Sequence, residues 1–248
     1  MKKIEPRKLE LPESPYRDLE FLESLEGRTL RILSEYVWPM ARLEKLKVES
    51  TILFLGSAKA SPASSNSILN KYYWEAEELA FRITKWGMNL KPRGRKYVVC
   101  TGGGPGIMEA ANRGATRAGG KSIGMNISLP QPQLPNPYIT PELSFTFHYF
   151  FMRKFWLLYK ARAVIAFPGG FGTLDEFFEI ITLLQTGKVS RKEVLLILYG
   201  QDYWDRVINF RTLVECGAIT EDDVRLFSVF SSPLETFNFL KKCLPAMD

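Results

Sequence analysis

AVIAFPGGFGTLDE, residues 163–176, holds the reading of the whole chain. A short apolar run ends at Pro168, three glycines (Gly169, Gly170, Gly172) follow, and Thr173 leads into two carboxylates. An apolar run of this length closed by turn-formers reads as a buried strand, and the periodic segment beginning at Thr173 reads as the helix it feeds. The same grammar extends outward in both directions. TILFLG from Thr51 precedes a helix expected from about Ser67 to Trp86, and YVVC precedes a helix opening at Pro105. SIGMNI is followed by the loop LPQPQLPNPY. FTFHYF is followed by a helix through Lys160, and VLLIL by one from about Asp202. LFSVF comes last, before a helix after Ser232, where S-P-L-E reads as a capping box. Strands alternating with helices imply βαβ units and an α/β, doubly wound, mostly parallel sheet.

Ahead of this block, residues 1–15 are polar and proline-punctuated, an extended arm. From Tyr16 to about Leu46, apolar residues at Leu19, Leu22, Leu25, Leu30, Leu33 and Val37 recur at helical spacing. The expectation is one or two amphipathic helices leaning on the main domain. The chain thus divides into an N-terminal extension, 1–50, and an α/β domain, 51–248.

Composition narrows the function classes. The 248 residues are 46% hydrophobic and 24% charged, ordinary for a globular protein. No apolar run approaches the roughly 20 residues of a membrane span, and the charged start MKKIEPRKLELPE does not read as a signal peptide. A cytoplasmic protein without membrane association is expected. Cys100, Cys216 and Cys243 lie far apart without metal-ligand spacing and read as reduced thiols. The net charge of +6 is concentrated in Arg82, Lys85, Lys91, Arg93, Arg95 and Lys96. No nucleic-acid recognition motif accompanies them, so they read as a solvated basic stretch rather than a nucleic-acid site.

In doubly wound sheets, ligands bind at the carboxyl ends of strands. Three loops at such ends share one character: Gly56-Ser57-Ala58, Thr101-Gly102-Gly103-Gly104-Pro105-Gly106, and Pro168-Gly169-Gly170-Phe171-Gly172-Thr173. Glycine lets a backbone approach a ligand closely, and a helix N-terminus behind the turn adds free amides and a partial positive charge. Two such loops, each between a strand and a helix, point to a phosphate. Their spacing is neither that of a dinucleotide fingerprint nor that of a P-loop.

The acid behind the last loop has two readings. Thr173-Leu174-Asp175-Glu176 fits a capping box, with Thr173 as N-cap. Alternatively, Glu176 lies in the first turn beside phosphate-binding amides and faces a nucleotide's sugar. There a carboxylate stabilises positive charge at an anomeric carbon or positions water to attack it. Asp175, about 100° around the helix, points elsewhere. Arg153 and Lys154 sit at the start of the preceding helix, where two cations oppose the helix dipole and so read as ligand contacts. The one histidine, His148, reads as a packed residue. Lys154 is the only lysine expected beside the site.

With these residues assembled, the chain resembles the LOG ("Lonely guy") family of nucleoside 5′-monophosphate phosphoribohydrolases, whose members often carry the label "lysine decarboxylase-like". The signature P-G-G-x-G-T-x-x-E is met by Pro168, Gly169, Gly170, Gly172, Thr173 and Glu176. The companion loop is met by Gly102 to Gly106 with Met108 and Glu109, the Arg-Lys pair by Arg153-Lys154, and the opening G-S by Gly56-Ser57. The resemblance implies a modified Rossmann fold and hydrolysis of the N-glycosidic bond of a purine or cytokinin-type nucleotide to free base and ribose 5-phosphate. It implies Arg153 and Glu176 as the catalytic pair. Substrate binding is expected from Gly56, Ser57, Gly103, Gly104, Gly106, Met108, Glu109, Arg153, Lys154, Gly169, Gly170, Phe171, Gly172 and Thr173. No metal or other cofactor is implied, and the family's dimers or larger homo-oligomers suggest that the aromatic helix FHYFFMRKFWLLYK is partly interfacial. The alternative is a non-enzymatic carrier of a nucleotide or of molybdenum cofactor on a similar fold. Pyridoxal-phosphate decarboxylation has little in its favour, because it needs a Schiff-base lysine with an acidic partner for the pyridine nitrogen.

Overall fold

A computed structural model describes residues 11–63, 68–131 and 134–244. Residues 1–10 of the expected arm, Ser67 at the expected start of a helix, and part of the proline-rich loop lie outside these. Among the described residues, seven strands run β1 Thr51–Leu55, β2 Val98–Thr101, β3 Ser122–Ile127, β4 Ser144–Phe147, β5 Ala161–Ala166, β6 Leu195–Tyr199 and β7 Phe227–Phe230. All pairings are parallel, in the order β4-β3-β2-β1-β5-β6-β7. The winding therefore reverses beside β1, which pairs β2 on one side and β5 on the other. That reversal opens a crevice at the carboxyl ends of β1 and β5.

Helices cover both faces. α1 is Leu19–Glu23, α2 Arg28–Lys45, α3 Ile68–Asn89, α4 Ile107–Arg117 and α5 Phe150–Tyr159. α6 is Phe171–Gln185, α7 Gln201–Val207, α8 Phe210–Glu215, α9 Glu221–Val224 and α10 Pro233–Cys243. Side chains alternate across each strand, so β1 splits its core residues between the two faces. Ile52 and Phe54 pack with α3, α4 and α10, whereas Leu53 and Leu55 pack with α2, α5, α6 and α7. Burial on both faces is why the strands read as unbroken apolar runs. Trp156 of α5 and Trp204 of α7 are almost fully buried. Burying a large side chain of this kind contributes about 1.5–3 kcal/mol. Among the described residues, no helix is long and apolar enough to cross a membrane.

Two local expectations are corrected. The apolar stripe read in the N-terminal segment is the wrong face of the helix. Leu25, Leu30, Leu33 and Val37 are exposed, while α2 docks through Ile32, Met40 and Leu43. The sequence offers apolar residues on both sides of α2, and only contact with α5 and the sheet selects between them. FTFHYF is a strand only as far as Phe147, and His148 is exposed rather than packed, its ring edge-on to Tyr149. Ser232, by contrast, is the N-cap of α10 and accepts the Glu235 amide.

Candidate active site

The three glycine loops meet at the crevice. Ser57 joins them: its amide donates to the Pro168 carbonyl and its carbonyl accepts from the Ile107 amide, each at 3.0 Å. Such contact leaves no space for a side chain. At Gly106, with φ +73°, a Cβ would stand 2.2 Å from the Ser57 carbonyl oxygen, a clash added to an unfavourable backbone angle. The loop after β5 is held from beneath. Tyr203 donates to the Gly169 carbonyl at 2.7 Å, and the Trp204 indole bridges the Ala166 and Tyr199 carbonyls at 3.2 and 3.0 Å.

The loop after β2 is held by a buried amide network. The Asn136 side-chain amide donates to the carbonyls of Gly103 and Gly104 and to Asn112, and Thr101 donates to the same Asn112 oxygen. Buried polar groups of this kind are tolerated because each finds a partner. Sequence reading missed Asn112, on α4, and Asn136, in the proline-rich loop, since an asparagine carries no signal until the fold brings it to its partners.

Two helices start here without side-chain caps. The N-cap of α4 is Gly106 and that of α6 is Gly170, and neither offers a hydrogen-bonding side chain. The first-turn amides of both helices lack intrahelical acceptors and carry the positive end of the dipole. Gly170 and Gly172 are informative in another way. Neither has a positive φ, and a Cβ at either would meet nothing within 4 Å. The protein itself therefore does not require glycine there, whereas a ligand resting on those amides would.

The capping-box reading of Thr173 is overturned by this start point. α6 begins at Phe171, so Thr173 is buried in the first turn and Glu176, the sixth residue, lies in the second turn rather than the first. One turn deeper, its carboxylate reaches the floor of a cleft of about 360 Å³. Arg153 enters from α5. Its Nε donates to the Met125 carbonyl at 2.7 Å, one Nη donates to Gly102 O at 3.4 Å, and the other lies 3.5 Å from Glu176 Oε1. The two side chains are 13% and 16% exposed. Burial pushes the Glu176 carboxyl up from 4.5 to about 7, with Asp175 and Glu179 adding to the rise while Arg153 and Lys154 oppose it. Near neutrality, both protonation states of Glu176 are populated, the condition that suits acid–base work.

Gly56, Ser57, Met108, Arg153, Gly170, Phe171, Gly172, Thr173 and Glu176 line this cleft, and Phe171 at its mouth is 92% exposed. Gly103, Gly104, Gly106 and Gly169 shape the loops behind it without lining it. Glu109 turns away to accept a 2.8 Å bond from Tyr73. Lys154 also turns away: Nζ pairs with Asp175 at 2.7 Å and Glu179 at 3.2 Å, beside a larger concavity of about 630 Å³ on the outer side of α5 and α6. Lys59, which sequence reading passed over, lines the cleft instead. The basic residues from Lys91 to Lys96 precede β2 and lie at the opposite ends of the strands. Among the described residues, no three His, Cys, Asp or Glu side chains gather to hold a metal ion.

A family model described as "possible lysine decarboxylase" matches residues 108–240, a span that includes Arg153 and Glu176. The rice protein named probable cytokinin riboside 5′-monophosphate phosphoribohydrolase LOGL5 (Oryza sativa subsp. japonica) is 30% identical over 163 residues. The match covers 64% of this chain and only 57% of that protein. The rice cytokinin riboside 5′-monophosphate phosphoribohydrolase LOG is 29% identical over 184 residues, covering 73% of this chain and 67% of that one. Among solved structures, the molybdenum cofactor binding protein of Rippkaea orientalis superposes with a TM-score of 0.54 at 21% identity, over 79% of this chain and 98% of that one. The molybdenum cofactor carrier protein of Chlamydomonas reinhardtii superposes with a TM-score of 0.51 at 20% identity, with the same coverage. At such identities these two attest the fold alone.

Proposed function

This chain belongs to the LOG-type family, whose model is described as "possible lysine decarboxylase", and from that premise we propose that it is a hydrolase cleaving the N-glycosidic bond of a nucleoside 5′-monophosphate. The observation that carries the reading is the half-buried Arg153–Glu176 pair in a cleft beside two uncapped helix N-termini. The 5′-phosphate rests on the first-turn amides of α6 and α4, where Gly170 and Gly172 leave the backbone bare. Phe171 at the mouth offers an aromatic face to the base. As the bond between the anomeric carbon and the base nitrogen lengthens, the carbon gains positive charge and ionised Glu176 stabilises it. Water then adds its oxygen to that carbon and gives a proton to Glu176, the departing base takes a proton from solvent, and Glu176 returns its own to solvent to complete the cycle. Arg153 orients the substrate and holds Glu176 toward its ionised form.

The activity in the family description is not the one we propose. The burial of Lys154 lowers its pKa, but bonds to Asp175 and Glu179 outweigh that effect and leave it raised. An amine held charged outside the cleft is a poor Schiff-base former. A carrier would use the same phosphate-binding amides, yet it has no need of a carboxylate titrating near neutrality beside an arginine. We further propose that the chain acts as a homodimer or larger homo-oligomer through the exposed aromatic face of α5, where Phe151, Phe155 and Tyr159 are each 38–52% exposed. The 1–50 and 51–248 division is likewise our proposal.

Incubation of the purified protein with AMP, GMP, CMP, UMP and isopentenyl-AMP, followed by chromatography, tests the activity. Release of free base from at least one is expected, together with its loss in Glu176→Gln. Binding without release from any of them would overturn the hydrolase reading in favour of the carrier.

A further inference from the structure

α5 begins badly by its own sequence. Its N-cap residue, Tyr149, supplies no side-chain cap, and Arg153 and Lys154 bring two positive charges to the positive end of the helix dipole. The remedy comes from α2. The Glu35 carboxylate accepts the His148 amide at 2.6 Å through one oxygen and the Tyr149 amide at 3.3 Å through the other. Among the described residues, Glu35 has no cation within ion-pair distance, so both its oxygens serve the start of α5. The Glu35 backbone carbonyl also accepts the Trp156 indole N–H at 2.8 Å, and the Tyr36 ring packs on Phe155 and Trp156. Tyr149 links this clamp to the cleft, because its carbonyl accepts the Arg153 amide at 3.1 Å.

We propose that Glu35 is a positioning residue for the candidate active site: by holding the two amides that precede α5, it sets the register of that helix and aims the Arg153 guanidinium at Glu176. Its catalytic consequence rests on the proposed hydrolase reading, whereas its structural consequence does not. The guanidinium spans Met125, Gly102 and Glu176 with one bond near ideal and two long ones, so a small slide of α5 breaks the long pair first. The N-terminal helix thereby becomes part of the machinery rather than an appendage to it.

Removing the clamp therefore has a signature that loss of packing alone lacks. The groups around Glu176 are Arg153 and Lys154 on α5, Asp175 and Glu179 on α6, and the Cys100 thiol on β2. Of these, Arg153 opposes the rise in Glu176 most strongly. Carbon-13 titration of glutamate side-chain carboxyls, with Glu176 assigned by its disappearance in Glu176→Gln, reads its midpoint directly and needs no activity. In Glu35→Ala and the near-isosteric Glu35→Gln, the midpoint should rise by about half a pH unit as Arg153 loosens. The kcat for base release should fall about tenfold with KM within about twofold. Tyr36→Leu weakens the same helix contact while leaving the carboxylate in place, and should lower Tm without moving the midpoint. Wild-type midpoints in both Glu35 variants would overturn the proposal, as would an equal upward shift in Tyr36→Leu. Wild-type protein that releases no base would instead defeat the hydrolase reading, leaving the titration to judge Glu35.

Discussion

Replacing Glu176 by glutamine should make the protein more stable and, at the same time, inactive. The carboxyl sits at about 7 in the fold against an ordinary 4.5, and each pH unit of that difference is worth about 1.4 kcal/mol. For an acid raised in the folded state, the folded protein holds a proton that the unfolded chain has already released. Stability therefore falls as pH climbs from 4.5 to 7, and the loss is complete above that. The ionised carboxylate costs the fold about 3 kcal/mol at pH 8–9, with the attraction of Arg153 already included. Glutamine mimics the protonated acid and keeps an oxygen for the Arg153 guanidinium. Wild type and variant should therefore match near pH 4 and separate by about 3 kcal/mol by pH 9. For a chain of this size that is a gap of about 6–12 °C in Tm. Thermal unfolding of both proteins across pH 4–9 measures it. On the proposed mechanism, base release by the wild type should run the other way, rising with pH through about 7 as Glu176 ionises. A Tm difference independent of pH, or a variant no more stable than wild type at pH 9, would refute the claim that Glu176 is a destabilised, functional acid.

Other consequences are more local. Gly102→Ala would set a Cβ 2.3 Å from an Arg153 Nη and 2.9 Å from Met108 Sδ, so kcat should drop about tenfold or more as the guanidinium is displaced. Gly172→Ala meets nothing within 4 Å and should leave Tm unchanged while raising KM, as steady-state kinetics on the preferred nucleotide would reveal. Arg153→Lys removes the planar fork that joins Met125, Gly102 and Glu176, and base release should fall about 100-fold. Trp204→Phe leaves two carbonyls without their buried donor and should cost about 2 kcal/mol in urea unfolding. Burial pushes the Cys100 thiol up to about 12 while Cys216 and Cys243 are exposed. A thiol reagent at pH 8 should therefore label two cysteines promptly and the third only on unfolding.

The family description and the activity proposed above ask different things of the side chains. Decarboxylation by a lysine Schiff base asks for an amine whose pKa is lowered inside a pocket. Lys154 is instead clasped by two acids outside the cleft, and Lys59 stands exposed at its edge. What the cleft does gather is an acid tuned toward neutrality, an arginine and bare helix amides, the groups on which the proposed hydrolase reading rests.

How much of this was legible without a structure follows from the range of the forces involved. Strand runs such as TILFL and AVIA, the glycine turns behind them, and the parallel sheet they imply are local matters. They rest on burial pattern, backbone sterics and the shortness of the connections, all of which act within a few residues and leave their trace in the sequence. The pairing of Arg153 with Glu176 was legible only through a signature, since nothing in either segment states that they meet. Tertiary structure alone decided the rest. The switch at β1 drew the Ser57 loop between the other two, and the true start of α6 at Phe171 lowered Glu176 one turn to the floor of the cleft. α2 turned Ile32 and Leu43 inward, leaving Leu33 and Val37 outside and bringing Glu35 to the head of α5. Each of these is a contact between segments distant along the chain, and its energy depends on what surrounds it. A carboxylate becomes an acid near neutrality, and a glutamate a clamp, only once the fold has chosen their neighbours.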